Sequence, residues 1–326
     1  MRVAPSRAKR QEQPVKSEHS GRAGDMAGRF ADGVSADPAT GAFIAHRGLL
    51  FTVAYEMLGS AADAEDVLQE TWLRWVGVDL ATVQNQRAFL VRITTRQALS
   101  RLRTLGRRKE SYVGSWLPEP LLTAPDVAED VELADSVSTA MLLVLETLAP
   151  AERAVFVLRE VFDVEYDEIA EAVDKSPAAV RQIAHRARAH VAARRPRGVV
   201  SPAETRNALD AFRRATETGD LQGLLDILAP DVVLLGDGGG VKQAVLRPVV
   251  GADKVARLLA TGLGRVPDVS LLPAQVNAHP ALIVRLDGAV DTVMTLRVTD
   301  GLVSAVYAVR NPEKLSHMER ETTLCR

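Results

Sequence analysis

The stretch that most constrains the fold is residues 167–195, whose pattern divides into two helices joined by a tight turn. Residues 168–173 suit the first helix, and residues 174–175 suit the turn. Ser176 then stands where an N-cap is expected, and Pro177 takes the first helical position, where its missing N–H costs nothing. Apolar side chains at helical spacing are predicted to face inward from the second helix. They are Val180, Ile183, Ala184, Ala187 and Val191.

The charges of this segment are divided between its two halves. Residues 152–174 are mostly acidic, whereas residues 175–197 contain no acidic residue. The polar side chains left for the outer face of the second helix are Arg181, Gln182, His185, Arg186 and Arg188. A helix-turn-helix that places its second helix in the major groove of DNA needs this arrangement. The competing interpretation is an ordinary helical hairpin with a solvated basic face.

The composition bounds the class of protein. With 326 residues, two or three domains are expected, and a net charge of −2 means that any nucleic-acid surface must be local. No apolar run approaches the roughly 20 residues of a membrane span. The single cysteine, Cys325, excludes an intramolecular disulfide and fits a reducing cytoplasm. The histidines are scattered without ligand spacing, so we predict neither a metal nor a cofactor.

Residues 1–36 are polar and small, without periodicity, and are predicted to be a disordered basic arm. Three interpretations stay open. The arm contacts DNA, or it has no function, or translation starts at Met26 rather than at Met1.

Residues 37–110 are predicted to form a helical module that begins with a helix at residues 43–58. Its second helix, at residues 63–76, follows an N-cap at Ser60 and carries acids in its first turn. The side chains predicted to face outward from this helix are Asp63, Asp66, Gln69, Glu70 and Arg74. On the pattern alone, a solvated acidic face is the simpler interpretation.

The third helix of this module, at residues 86–109, has an unbalanced charge. Its basic residues are Arg87, Arg92, Arg96, Arg101, Arg103, Arg107, Arg108 and Lys109, and no acid lies among them. Like charges on one helix repel each other by about a few tenths of a kcal/mol per pair. A polyanion turns this cost into binding energy through phosphate contacts and counterion release. The helix therefore predicts a second nucleic-acid surface.

Residues 111–136 are predicted to be an extended linker, because prolines and like charges oppose compact structure. The linker contains the sequence Trp116-Leu117-Pro118-Glu119-Pro120. A tryptophan in a linker either packs locally or serves as a docking point for another part of the chain, and both interpretations stay open. Residues 137–198 form the second helical module, which the helix-turn-helix completes.

From residue 201 the pattern changes to helices followed by strands. Helices are predicted at residues 202–218 and 221–228, and a break at Pro230 and Asp231 precedes a strand at residues 232–235. Further strands are joined by Asp-Gly dipeptides, which are hairpin signals. This order indicates an α+β domain over residues 201–315, in which a curved antiparallel sheet folds over helices and leaves a pocket. Residues 316–326 form a tail.

Four polar residues of this domain are of the types that serve acid–base chemistry. They are Asp231, Asp237, His279 and Asp291. Each has a simpler role in a turn, at a strand break or on the surface, and no pairing is evident. We therefore predict no catalytic site.

The two helical modules together resemble bacterial sigma factors of the extracytoplasmic-function (ECF) type over residues 42–195. Residues 63–72 are similar to the helix that docks on the clamp helices of the β′ subunit of RNA polymerase. The resemblance implies polymerase contacts for Asp66, Gln69, Glu70 and Arg74. Residues 88–103 are similar to the part that melts and reads the −10 element, which implies DNA contacts for Arg92, Arg96, Gln97, Arg101 and Arg103. Residues 176–188 are similar to the −35 reader, which implies DNA contacts for Arg181, Gln182, His185, Arg186 and Arg188.

Three further motifs resemble the sigma factors that are fused to a SnoaL-like domain. They are the linker sequence at residues 116–120, Asp237-Gly238-Gly239-Gly240, and Asn311-Pro312-Glu313-Lys314-Leu315. The resemblance implies that the C-terminal domain contacts the linker and controls how the DNA-reading modules are held. The residues implied are Trp116, Leu117, Pro118, Asp237, Gly238, Gly239, Gly240, Asn311, Pro312 and Lys314.

This resemblance also implies the partners of the protein. They are core RNA polymerase and promoter DNA, with no separate anti-sigma factor required and no membrane contact. It implies a cytoplasmic protein and room for a small-molecule ligand in the C-terminal pocket. The alternative function is a one-component regulator, whose helix-turn-helix binds duplex DNA without polymerase while the C-terminal domain senses a ligand. The separate basic helix at residues 86–109 argues against that alternative.

Overall fold

The computed structural model describes residues 37–124, 130–195, 201–262 and 268–326. The arm predicted at residues 1–36 lies outside the described residues, as do residues 125–129 of the linker and residues 196–198 at the predicted end of the second module. Within the described ranges, no helix is both long and apolar enough to cross a membrane.

The N-terminal part of the protein is helical. Its helices are α1 (Pro38–Leu58), α2 (Ala61–Trp75), α3 (Gln86–Glu110), α4 (Val131–Val137), α5 (Thr139–Leu145), α6 (Pro150–Phe156), α7 (Tyr166–Val173) and α8 (Pro177–Arg194). A 3-10 turn at Leu80–Thr82 precedes α3, and a π-helical turn at Val157–Val161 continues α6. The first helix starts at Pro38 rather than at residue 43, since a proline suits the first helical turn.

The helix-turn-helix forms as its sequence predicts. The Ser176 hydroxyl accepts a hydrogen bond from the backbone N–H of Ala179 at 3.3 Å, and Pro177 opens α8. Asp174 ends α7 in the left-handed conformation with a φ of 55°, which aspartate tolerates better than most residues. The five side chains predicted to face inward are buried, namely Val180, Ile183, Ala184, Ala187 and Val191.

The two helical modules share one hydrophobic core. Leu50 and Trp75 of the first module belong to the same buried cluster as Leu142, Ile169 and Val180 of the second. Helix α3 lies directly against α6 and α7. The domain boundaries at residues 110, 136 and 198 stay predictions.

The C-terminal domain begins with helices and continues as a sheet. Its elements are α9 (Pro202–Thr218), α10 (Leu221–Ile227), β1 (Leu228–Asp237), β2 (Val249–Val250), α11 (Ala252–Gly262), β3 (Val269–Val276), β4 (His279–Leu286), β5 (Ala289–Thr299), β6 (Leu302–Val309) and α12 (Pro312–Leu315). The break expected at Pro230 and Asp231 was wrong, because β1 runs through both residues. Its register against β6 shifts between Leu228 and Val233, and such a bulge accommodates a proline within a strand.

The strands form one sheet in the order β2-β1-β6-β5-β4-β3. The predicted antiparallel meander is present from β3 to β6. Strand β1 pairs with β6 in parallel, so the sheet as a whole is mixed rather than antiparallel. The reason is the crossover through α11 to the far edge, from which the chain returns strand by strand until β6 lies beside β1.

Both faces of the sheet are covered. One face packs on the helices of its own domain, through residues such as Phe212 and Leu282. The opposite face packs on the linker, on α5 and on the C-terminal segment through Leu117, Leu143 and Met318. Because a sheet covered on both sides has continuously apolar strands, β4 is buried at five successive positions rather than at alternate ones.

Candidate nucleic-acid and polymerase interfaces

The outer face of α8 carries the residues predicted to contact the −35 element. All five are exposed, namely Arg181, Gln182, His185, Arg186 and Arg188. Two of them have acidic neighbours, since Arg186 lies 3.9 Å from Glu152 and Arg188 lies 3.3 Å from Glu160. Exposed ion pairs are worth less than about 1 kcal/mol, so DNA phosphates can displace them. This face is open to DNA.

Two arginines in the first half of α3 are turned toward the helix-turn-helix. Nη1 of Arg92 lies 2.6 Å from Oε2 of Glu171 on α7. Arg96 donates to the backbone carbonyl of Glu171 at 2.7 Å. The guanidinium of Arg92 also stacks on Phe89, 4.7 Å from the ring centroid. Two residues predicted to contact the −10 element therefore point at the second module.

Further along α3, Arg101 holds the first turns of α2. Its guanidinium lies 2.7 Å from Asp63 and 2.6 Å from Asp66. The expectation that Asp63 faces outward was wrong: its side chain is buried. The cause is Arg101, which reaches across from α3 and covers the carboxylate.

Gln97 lies between the predicted −10 residues and the predicted polymerase face. In the orientation that satisfies both neighbours, its amide donates to Glu70 and accepts from Arg74, each at 2.9 Å. Arg103, two residues after Arg101, is exposed. Side chains of α3 thus fix the outer face of α2.

The outer face of α2 presents the residues predicted to contact polymerase. They are Asp66, Gln69, Glu70 and Arg74, and all four are exposed. Leu73 lies among them and is 71% exposed. Apolar surface that is rimmed by polar residues marks interaction sites. Sequence reasoning missed Leu73, although its position three residues after Glu70 places it on the same face.

The contact between linker residues 116–123 and the C-terminal domain, here called the seam, is centred on Asp237. This side chain is fully buried. It accepts hydrogen bonds from the Tyr112 hydroxyl at 2.5 Å, the Leu117 backbone N–H at 2.9 Å and Nζ of Lys314 at 2.8 Å. Burial lowers the pKa of Lys314, and the charge of Asp237 opposes that shift. Burial and the hydrogen bond to Asp237 both raise the pKa of Tyr112.

Trp116 packs between two lysines. Nζ of Lys109 lies 3.5 Å from a ring centroid of Trp116, and Nζ of Lys314 lies at 4.1 Å. The ring edge rests on Gly59, where an added Cβ would lie 2.8 Å from the ring. Burial lowers the pKa of Lys109 to about 8, against the opposing charge of Glu146. Trp116 therefore contacts both the first module and the C-terminal domain, and linker residues 117–121, Pro118 among them, are all buried.

The loop after β1 requires glycine at two positions. A Cβ on Gly238 would lie 2.1 Å from a backbone carbonyl oxygen of the same loop. Gly239 has a φ of 63°, and its Cβ would lie 2.4 Å from Nδ2 of Asn311. Without side chains, the loop can pack directly on Asn311.

Asn311 and the glycine loop meet the linker at the same place. Nδ2 of Asn311 donates to the Tyr112 hydroxyl at 2.9 Å, and Pro312 then opens α12. Gly240 approaches Val113, since a Cβ there would lie 3.3 Å from that side chain. The three motifs that the sequence singles out are thus brought together at the seam.

Asn277, in the turn between β3 and β4, joins the C-terminal domain to both helical modules. Its Nδ2 donates to the Tyr55 hydroxyl at 2.6 Å and to the Val137 carbonyl at 2.8 Å. Its Oδ1 accepts from the backbone N–H of Leu121 at 2.8 Å. Sequence reasoning missed this residue, because an asparagine in a hairpin turn is common whether or not it binds anything else.

The C-terminal segment, residues 316–326, returns to the helical modules. Leu324 is buried in their shared core. The backbone N–H of Cys325 donates to the hydroxyl of Thr52 on α1 at 3.1 Å. Arg326 lies 2.7 Å from Asp130 and also pairs with Glu132 on α4. The segment therefore contacts the first module and the end of the linker, and Leu324 packs in the core that the two modules share.

A buried acid, Glu56, lies in α1. Its Oε1 accepts from the Ser136 hydroxyl at 2.8 Å, whereas Oε2 has no hydrogen-bond partner among the described residues. Arg153 donates to the backbone carbonyl of Glu56 at 2.9 Å. Burial raises the pKa of Glu56 to about 8, although Ser136 and Arg153 oppose the shift.

Comparison with known proteins identifies the helical modules. The family model Sigma-70 region 2 matches residues 42–108, and Sigma-70, region 4 matches residues 138–191. The chain is 35% identical over 288 residues to the ECF RNA polymerase sigma factor SigJ of Mycobacterium tuberculosis strain H37Rv, a match that covers 84% of this chain and 92% of SigJ. The chain belongs to the ECF RNA polymerase sigma factors.

Two further matches extend beyond the helical modules. This sigma factor is 32% identical over 288 residues to the probable ECF RNA polymerase sigma factor SigI of M. tuberculosis strain CDC 1551, covering 87% of this chain and 97% of SigI. The crystal structure of SigJ matches with a TM-score of 0.68 at 34% identity, over 84% of this chain and 97% of that chain. The predicted sigma factor with a SnoaL-like C-terminal extension is thereby confirmed. This sigma factor binds RNA polymerase and promoter DNA and acts in the initiation of transcription.

Proposed function

We propose that the C-terminal domain of this sigma factor holds its two DNA-reading modules in a closed arrangement, with α3 packed on α7, until polymerase binds. The observation that carries the proposal is the 2.6 Å contact between Arg92 on α3 and Glu171 on α7. Arg96 also donates to the carbonyl of Glu171. A −10 strand reaches these arginines only after α7 has moved away.

The C-terminal domain is suited to holding this arrangement because it touches both modules. Asn277 donates to Tyr55 in the first module and to Val137 in the second. The C-terminal segment contacts Thr52 on α1 and Asp130 at the end of the linker, and its Leu324 packs in the shared core of the two modules. A body bound to both modules fixes their relative position. In this account the protein needs no separate anti-sigma factor.

We assign recognition of the −35 element to α8. Arginine and glutamine form bidentate hydrogen bonds to guanine and adenine in the major groove, and further basic side chains contact phosphates. The assigned residues are Arg181, Gln182, His185, Arg186 and Arg188. Because their face is exposed in the closed arrangement, opening is not required for −35 contact.

We assign contact with the −10 element to α3, which contacts the phosphates of the separated strand and stacks on its bases. The assigned residues are Arg92, Arg96, Gln97, Arg101 and Arg103. Arg103 and Arg96 are exposed, although Arg96 is hydrogen-bonded to Glu171. Arg92, Arg96, Gln97 and Arg101 become available to DNA as their contacts with α7 and α2 open.

We assign docking on the clamp helices of β′ to the outer face of α2. Leu73 supplies an apolar anchor, and the polar residues around it supply the rim that excludes water. The assigned rim residues are Asp66, Gln69, Glu70 and Arg74. A protein with these partners acts in the cytoplasm, where polymerase and chromosome are found.

We infer that the C-terminal domain regulates and does not catalyse. Two of the candidate acids have structural partners: Asp237 is bound to Lys314, and Asp291 lies 3.1 Å from Lys242 and 2.8 Å from Arg310. Apolar side chains pack between the sheet and its helices. These contacts favour a binding and holding role.

Transcription in vitro with core polymerase tests the proposal. Full-length protein is compared with truncations that end after residue 198, after residue 310 and after residue 315. We expect each truncation to change the transcript level, because each removes part of the contact between the C-terminal domain and the helical modules. An unaltered transcript level and promoter choice after the cut at residue 198 would contradict regulation by this domain. A gel shift without core polymerase tests the one-component alternative, which requires tight operator binding under that condition.

A further inference from the structure

Glu119 of the linker is a buried acid at the N-terminal end of α2. The residue is 2% exposed. Its Oε2 accepts hydrogen bonds from the Ser60 hydroxyl at 3.0 Å and from the backbone N–H groups of Ala61 and Ala62 at 2.8 and 3.4 Å. The first N–H groups of a helix have no partner within the helix, and a negative charge near them is stabilising. The linker thus supplies a second cap for α2, beside the Ser60 hydroxyl that accepts from the N–H of Asp63.

The C-terminal segment and the C-terminal domain hold the same residue from the other side. Nδ1 of His317 lies 2.9 Å from Oε1 of Glu119. The backbone carbonyl of Glu119 accepts from the Tyr55 hydroxyl at 2.7 Å, and this hydroxyl accepts from Asn277 at 2.6 Å. Glu119 therefore stays at the end of α2 as long as the C-terminal domain keeps the linker in place.

We propose that Glu119 is a positioning residue for polymerase docking, through which the C-terminal domain controls the affinity of α2 for polymerase. The inference rests on the proposed docking of α2 on the clamp helices. It adds a second route of control, which acts on polymerase affinity rather than on the distance between the DNA-reading modules. When the linker leaves, the first turn of α2 keeps only its Ser60 cap, which loosens the turn that leads to Asp66 and Gln69.

Binding of the full-length protein to core polymerase tests this inference. Glu119→Gln removes the charge and keeps the shape of the side chain. We expect its dissociation constant to rise about fivefold, which corresponds to the loss of a charge at a helix N-terminus. Glu110→Gln is the matched control, because Glu110 is an exposed acid at the end of α3 that precedes the linker. Its affinity should equal that of the wild type.

A rescue variant separates capping from a merely structural role. Ala62 is exposed in the first turn of α2, so Ala62→Glu places a carboxylate beside the same N–H groups. We expect the double variant Glu119→Gln/Ala62→Glu to recover the wild-type affinity. An unchanged affinity of Glu119→Gln, or a loss that Ala62→Glu leaves uncorrected, overturns the inference.

His317→Ala provides a second test of the inference, to be used if thermal melting shows that Glu119→Gln does not fold. The His317 side chain is 45% exposed, and its removal releases Glu119 on one side. We expect faster hydrogen exchange at the amides of Ala61 and Ala62 and a polymerase affinity about twofold weaker. Unchanged exchange and affinity in His317→Ala contradict the inference.

Glu70→Ala distinguishes this inference from the proposed function on which it rests. If Glu70→Ala leaves polymerase affinity unchanged, docking through the outer face of α2 is wrong. If Glu70→Ala weakens binding and Glu119→Gln does not, docking stands and only the capping role of Glu119 fails.

Discussion

Glu171, on the first helix of the helix-turn-helix, accepts a hydrogen bond at 2.6 Å from Arg92, on the helix assigned to the −10 element. An acid of one DNA-reading module thus forms an ion pair with an arginine of the other. The Glu171 side chain is 64% exposed, and such pairs contribute less than about 1 kcal/mol to stability. The contact matters more as a competitor for DNA phosphate than as a stabiliser of the fold.

Glu171→Ala should therefore increase DNA binding with little change in stability. We expect the free energy of unfolding to change by less than about 1 kcal/mol. The affinity of the free protein for a single-stranded −10 oligonucleotide should rise about threefold, as measured by fluorescence anisotropy. Glu168→Ala removes another exposed acid of α7 and is the control. Equal affinities of the two variants would show that Glu171 does not compete with DNA.

Asp237→Asn should destabilise the protein strongly. The substitution leaves Lys314 at the seam without its acidic partner. Removing one partner of a buried ion pair costs about 3–5 kcal/mol. We expect urea denaturation to show a loss of about 3 kcal/mol. Asp253→Asn is the matched control, because Asp253 forms an exposed pair with Arg257 at 3.0 Å. A similarly small effect of both variants would mean that the seam adds little to stability.

Glu56 should make the protein less stable as the pH rises toward 8. Burial raises the pKa of this carboxyl from 4.5 to about 8. Between these values the folded protein holds a proton that the unfolded chain releases, so the free energy of unfolding falls by up to about 1.4 kcal/mol per pH unit. This contribution to stability is complete below pH 4.5 and is lost as the pH rises through about 8.

Glu56→Gln isolates this pH dependence, because the amide keeps an acceptor for Ser136 and does not titrate. Urea denaturation between about pH 5 and pH 8 should show a shallower decline of stability in this variant than in the wild type. Glu110→Gln, at an exposed position, should keep the wild-type slope. Identical slopes in Glu56→Gln and the wild type would contradict the raised pKa of Glu56.

Gly239→Ala should disturb the contact between the glycine loop and Asn311. The position has a φ of 63°, and the new Cβ would lie 2.4 Å from Nδ2 of Asn311. We expect the free energy of unfolding to fall by about 2 kcal/mol, from backbone strain and displacement of the asparagine. Gly106→Ala in α3 meets nothing within 4 Å and should instead stabilise by about 0.5–1 kcal/mol. Equal stabilities of the two variants would contradict the close approach of loop and Asn311.

Features that depend on neighbours in the sequence could be predicted. Ser60 caps α2 by accepting from the N–H of Asp63 at 3.2 Å, and Ser176 caps α8 in the same way. Each cap is completed within three residues, so spacing alone identifies it. The glycine and asparagine motifs at the seam were recognised from their resemblance to a family, and not from any physical pattern.

Contacts between distant elements could not be predicted in this way. The helical pattern places Asp63 outward, and Arg101 from another helix buries it. Gln97 lies on a basic helix, and its partners are Glu70 and Arg74 on α2. Periodicity shows which face of a helix is covered, but not which element covers it. For the same reason, the packing of α3 on α7 could not be predicted from the sequence and is known only from the structure.

The distance between α3 and α8 tests the closed arrangement most directly. Ser100 and Ala189 are exposed on these helices. Spin labels attached through Ser100→Cys and Ala189→Cys, in a Cys325→Ser background, report this distance by double electron–electron resonance. We expect one short distance in the free full-length protein and a longer one in the complex with core polymerase and promoter DNA. The same distance in both states would contradict the closed arrangement.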